Sequence, residues 1–99
     1  MHVHMVFFWL KEPENHAHRS TFQAGLEQLV QDPNVLKSRI GAPAKTDRDV
    51  VDNSYDFAAV VEFADLASHN AYQVGKAHDR FLQTCLPLWS NAKVYDLKV

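Results

Sequence analysis

Cysteine is almost missing from this chain. Cys85 stands alone, so no internal disulfide can form and no Cys-based metal centre is available. That usage agrees with a reducing, cytoplasmic setting. Glycine and proline are scarce, three and four in 99 residues, and no stretch of them makes a linker, a repeat or a low-complexity segment. Neither sign of charge dominates: ten Lys and Arg face twelve Asp and Glu, scattered along the chain. Without a basic field, neither nucleic acid nor an anionic membrane surface is an expected partner. The apolar start "MHVHMVFFWLK" is too short to span a bilayer and lacks the basic opening and small-residue cleavage site of a leader.

What is present is a core. Apolar residues make up 46% of the chain, including two Trp, three Tyr and six Phe, which suits one domain over residues 1–99. "HVHMVFFWL" from His2 to Leu10 is rich in β-branched and aromatic residues and reads as a strand ended by "KEPEN". Phe22, Leu26, Leu29 and Val30 then recur at helical spacing, and "QDPN" stops the helix. "VLKSRIGAP" is a shorter strand. "AKTDRDVVDNS" has turn residues without a period and forms the longest loop. "YDFAAVVEF", Tyr55 to Phe63, is the third strand. Asp65 is placed to N-cap a short helix "LASHNAYQV", with Gly75 as its C-cap. "KAHDRFLQTCLPLW" is the next helix, finishing early at Pro87, and "AKVYDLKV" is the last strand. The order β-α-β-β-α-α-β is the split βαβ pattern of a ferredoxin-like α+β sandwich, with four antiparallel strands and the second helix broken in two.

Alternation adds a constraint. Val6, Phe8 and Leu10 point to one side of the first strand while Met5, Phe7 and Trp9 point to the other. Phe57, Ala59, Val61 and Phe63 likewise oppose Ala58 and Val60, and Val94 opposes Tyr95 and Leu97. A sheet with helices on one face and water on the other alternates apolar with polar. This one is apolar on both faces, and the helices can cover only one. A homodimer in which two sheets pack face to face is therefore expected.

"HVHMVFFWLKE", "YDFAAVVEFADLASHNAYQ" and "AHDRFLQTCLPLWSNAKVYDL", in this order and spacing, resemble the stress-responsive A/B barrel domain (Dabb, dimeric α+β barrel) family over almost the whole chain. The resemblance implies a ferredoxin-like monomer that dimerises through its sheet into a barrel. The family includes plant stress-associated proteins and a polyketide cyclase that works without metal or organic cofactor. Its first-strand histidine falls on His4. Its Y-x-x-H-P-x-H-x-x-F pattern falls on Tyr72, Gly75, Lys76, His78 and Phe81, with Gly75 and Lys76 in place of the first histidine and the proline. Its tryptophan near the end of the last helix falls on Trp89, and its last-strand acid on Asp96. In the cyclase branch the tyrosine and second histidine are catalytic, which implies Tyr72 and His78 here.

Spacing can be set beside that implication. His78 precedes Phe81, Leu82 and Cys85 by three, four and seven residues, on the inward face of its helix. His4 shares a face with Val6 and Phe8, and Asp96 with Val94. If those faces meet the helices, His4, His78 and Asp96 converge. Asp96 would then orient His78 as general base, with Tyr72 donating a hydrogen bond to an enolate oxygen. Val6, Phe8, Phe22, Phe57, Phe81 and Trp89 are core residues that can also wall an apolar pocket beside His4. Two functions follow: a small cofactor-independent cyclase or lyase acting on an apolar carbonyl compound, or a non-catalytic, stress-associated or ligand-binding dimer in which His78 and Asp96 only lock helix to strand. Monooxygenase-like chemistry, known on related dimeric barrels, has no motif here. His2 and His4 lie two apart on one strand, but a metal site needs three or four ligands and no spacing supplies the rest, so no metal is expected. His16 and His18 are read as solvated at a helix start, His69 as partly exposed, and Cys85 as core.

Overall fold

The computed structural model describes all residues, 1–99. Strand β1 (His2–Leu10) leads into helix α1 (His16–Leu29), followed by β2 (Lys37–Gly41) and β3 (Phe57–Phe63). Helices α2 (Leu66–Gln73) and α3 (Lys76–Cys85) come next, then a single 3-10 turn over Leu86–Leu88 and strand β4 (Trp89–Lys98). The four strands form one antiparallel sheet in the order β2-β3-β1-β4. This is the ferredoxin-like arrangement that the element order predicts. No helix is long and apolar enough to cross a membrane.

Local chemistry explains the boundaries. Asn15 caps α1 by accepting a hydrogen bond from the His18 amide, and Asp65 caps α2 through the Ser68 amide. Gly75 differs from expectation. Val74 closes α2, while Gly75 is the extended N-cap residue of α3, at φ −83 and ψ 167. Its left-handed freedom is unused. What it provides is room: an added Cβ would lie 3.3 Å from the Ala71 carbonyl oxygen and 3.4 Å from an Asp32 carboxylate oxygen. Pro87 falls in the 3-10 turn, where no helical i→i−4 bond is demanded of it. The helix consequently ends before Trp89, which opens β4 rather than closing the last helix.

The core lies between the sheet and the helices. Val6, Phe8 and Leu10 of β1 and Phe57, Ala59, Val61 and Phe63 of β3 are buried on that face. Phe22 and Leu26 of α1 pack onto them with no exposed surface at all. Helices α1 and α3 approach closely at Gly25, where a Cβ would stand 2.5 Å from the Cys85 sulfur. Burial pushes the Cys85 thiol up to about 11, so it behaves as a core residue. The other face carries Met5, Phe7, Trp9, Ala58 and Val60, all half-buried although no helix covers them. Strand β4 is the least covered element: beyond Trp89 all its residues are exposed, including Val94, Tyr95 and Leu97.

Candidate functional site

A cavity of about 200 Å³ opens between the sheet and helices α2 and α3, on the β4 side. Its lining is mostly apolar. Val6 and Phe8 come from β1, Leu82 and Phe81 from α3, and Trp89 and Val94 from β4. Three groups on it can exchange protons: His4, Tyr72 and His78. Tyr72 stands between the two histidines, its ring 5.5 Å from His78 and 6.4 Å from His4, in both cases edge to face. Of the residues expected to form a pocket, His4, Val6, Phe8, Phe81 and Trp89 do line this cavity. Phe22 and Phe57 do not. They stack on each other at 5.4 Å within the core.

Asp96 does not orient His78. Antiparallel pairing sets His4 opposite Asp96, and one carboxylate oxygen lies 2.7 Å from His4 Nδ1 and 3.0 Å from His2 Nε2. Strand register decided this partnership. His78 sits on a helix across the cavity, and its Nδ1 is buried with no hydrogen-bond partner. With Nδ1 closed off, Nε2 is the one ring nitrogen of His78 that a molecule from solvent can meet.

His69 departs further from the sequence reading. It is buried, on the inward side of α2, with Nε2 3.3 Å from His4 Nδ1 and 3.8 Å from Asp96 Oδ1. Its Nδ1 lies 3.1 Å from the side-chain oxygen of Asn70. Asp65 capping fixes where α2 starts, and that phase turns His69 and Tyr72 inward together, three residues apart. Their i, i+3 spacing was the available signal. The isolated polar context of "LASHNAYQ" hid it.

Protonation follows from burial. Burial holds His4 below the usual imidazole value, outweighing the Asp96 hydrogen bond and charge that act to raise it. Burial also lowers His78, against a smaller opposing pull from Asp79. Both rings are thus neutral near pH 7. Burial, with the Asp32 charge nearby, drives Tyr72 far upward, so its phenol stays a protonated donor. For Asp96, burial acts to raise the carboxyl, but hydrogen bonds from His4 and His2 together bring it below the ordinary carboxylate range.

Sheet order and cavity together define the class: a ferredoxin-like α+β protein with an apolar, histidine-bearing cavity between sheet and helices. Residues 3–99 match the Stress Responsive A/B Barrel Domain (Dabb), and the chain belongs to that family. It is similar to a solved Dabb family protein from Mesorhizobium loti, with TM-score 0.81 at 21% identity, covering 99% of this chain and 95% of that one. A dimeric ferredoxin-like protein of unknown function from Thermobifida fusca gives 0.80 at 19% identity, with 99% and 90% covered. The hydroxynitrile lyase from Passiflora edulis gives 0.79 at 18%, with 99% and 92% covered. Identities this low establish the shared fold. No curated protein matches the chain by sequence.

Proposed function

We propose that the chain works as a homodimer joined through its uncovered sheet face, each protomer binding a small apolar carbonyl compound in the His4–Tyr72–His78 cavity and acting on it as a cyclase or lyase. The observation that carries this reading is the cavity itself, which brings three proton-exchanging groups into an otherwise apolar lining. Its volume lies below the roughly 300–1,000 Å³ of drug-sized sites, which favours a compact substrate over a long chain. His78 Nε2 removes a proton from the carbon next to the carbonyl. The C–H electron pair moves into the enolate, whose oxygen accepts a hydrogen bond from the Tyr72 hydroxyl. The enolate carbon then attacks a second carbonyl of the same molecule, and the imidazolium returns its proton to the new alkoxide. A lyase runs the carbon–carbon step in reverse. A solved hydroxynitrile lyase shares this fold, which supports a lyase as a class but not the enolate step.

One observation favours the second reading, a ligand-binding dimer without turnover. Asp96 is engaged by His4 and His2, which leaves His78 without the carboxylate that strengthens a catalytic imidazole. A panel of small aryl and alkyl diketones, each with an enolisable carbon and a second carbonyl in reach of it, screened for binding and for turnover against Tyr72→Phe and His78→Gln, decides between them. Turnover lost about 100-fold or more in His78→Gln, with binding retained, supports the enzyme. Binding without turnover in the wild type supports the second reading. Absence of any binding rejects both. The dimer is supported by the apolar half-buried face and by relatives described as dimeric. Phe7→Asp on that face is expected to yield monomers by light scattering. A wild type that is monomeric at micromolar concentration contradicts the dimer.

A further inference from the structure

His2, His4, His69 and Asp96 present one ligand atom each, and all four atoms lie within 4.8 Å of one another. We infer that these four side chains form a binding site for a divalent transition-metal ion, with Zn²⁺ the best fit. This goes beyond the reaction proposed for the cavity and does not depend on it, since neither Tyr72 nor His78 takes part. It also reverses what spacing along the sequence suggested, because the two missing ligands come from other elements.

The geometry suits the ion. Zinc–nitrogen and zinc–oxygen bonds of about 2.0–2.1 Å in a tetrahedron place ligand atoms about 3.3 Å apart. The observed separations fall on both sides of that value: 2.7 Å for His4 Nδ1 to Asp96 Oδ1, 3.0 Å for His2 Nε2 to the same oxygen, 3.3 Å for His69 Nε2 to His4 Nδ1 and 3.8 Å for His69 Nε2 to Asp96 Oδ1. The other two pairs, His2 Nε2 to His4 Nδ1 and to His69 Nε2, lie within 4.8 Å, so the His2 ring has to swing inward by up to about 1.5 Å to close the shell. The ligands are held by three elements: alternation sets His2 and His4 on one face of β1, pairing sets Asp96 opposite His4 on β4, and α2 brings His69 down onto them.

Without an ion, His2 and His4 can each donate toward Asp96, but the His69 Nε2 lone pair then competes for the His4 proton. His69 Nδ1 donates to the Asn70 oxygen, which makes Nε2 a lone-pair atom. That lone pair faces His4 Nδ1 and the Asp96 carboxylate. The single proton of His4 Nδ1 therefore has two acceptors, while His69 Nε2 and Asp96 Oδ1 oppose each other as acceptors. A cation takes all four lone pairs at once. The Asn70 contact is also the outer-sphere partner that metal-bound imidazoles usually have, fixing ring tautomer and orientation. Three imidazoles and one carboxylate select a borderline ion over Mg²⁺ or Ca²⁺, which prefer shells of oxygen. The ion has an entry path: the Asp96 side chain is 41% exposed and borders an open depression with His2 and Asp65.

Calorimetry and thermal melting of tag-free, chelator-stripped protein test the site. Zn²⁺ is expected to bind once per chain and to raise the melting temperature, while Mg²⁺ does neither. Co²⁺ is expected to give the intense visible bands of a four-coordinate nitrogen and oxygen shell. His69→Ala and Asp96→Asn are each expected to weaken Zn²⁺ by at least about tenfold, whereas His16→Ala/His18→Ala is expected to bind as the wild type does. Asp96→Asn alters a side chain on an exposed strand, so it keeps the test decisive if His69→Ala fails to fold. Lack of saturable one-to-one binding overturns the site. Equal affinity in wild type and Asp96→Asn overturns it too, and loss of binding in the His16/His18 variant places the ion elsewhere.

Discussion

His4 and His78 wall the same cavity under opposite conditions. His4 is buried and engaged on Nδ1 by a carboxylate and a second imidazole. His78 is half-buried, and its Nδ1 has no partner. One ring is fixed by its neighbours, and the other is held only by packing. A half-buried ring whose second nitrogen is not sealed off is open to a ligand, and a buried ring with two partners is part of the scaffold. The difference separates the proposed chemistry, on the Tyr72–His78 side, from the polar cluster that ties β1, β4 and α2 together.

The largest effect that tests this contrast is on stability. His4→Ala removes a buried ring and leaves Asp96 and His69 without it, so a loss of about 2–3 kcal/mol is expected in urea unfolding. His78→Ala breaks no hydrogen bond and should cost about 1 kcal/mol. Equal losses would erase the distinction between scaffold and site. Next comes the helix that carries His78. Gly25→Ala drives a methyl into Cys85 and should destabilise by about 1–3 kcal/mol through overpacking. Restored stability in Gly25→Ala/Cys85→Ala would identify that single contact as the cause.

The smallest effect is the pH dependence. Because burial lowers His78 in the folded chain, the unfolded chain takes up the proton first as pH falls. The stability this ring contributes is complete above the ordinary imidazole value of 6.5 and is lost as pH drops from there through the lower folded value. Asp79 is the one charge opposing the shift. His78→Leu should make the unfolding profile less steep below pH 6.5, leaving the slope due to His4, which burial also lowers. An unchanged slope would mean that His78 is not desolvated as the structure has it.

Elements were legible where the local pattern was strong. The aromatic and β-branched run of β1 marked both ends, and Asp65 marked the start of α2. Both helices of the broken pair are visible in the pattern, but glycine at their junction points to a C-cap, the commoner use, while Gly75 is an extended N-cap. The two-faced sheet could be read directly, since period-two alternation assigns faces without knowing the partner strand. Pairing partners could not. Asp96 meets His4 because of register between strands separated by most of the chain, and no local spacing records that. The same blindness hid His69, whose burial depends on where α2 lies over β1. Tyr72 and His78 were found by resemblance, and the structure places both on the cavity.

The central claim is that His78 is the imidazole open to a ligand. Imidazole ¹⁵N NMR during titration with an acetophenone-sized ketone tests it most directly. A saturable shift of His78 Nε2 is expected, weakened in Tyr72→Phe, with His4 Nδ1 moving little. No saturable shift at His78, or shifts confined to His16 and His18 on α1, would contradict it.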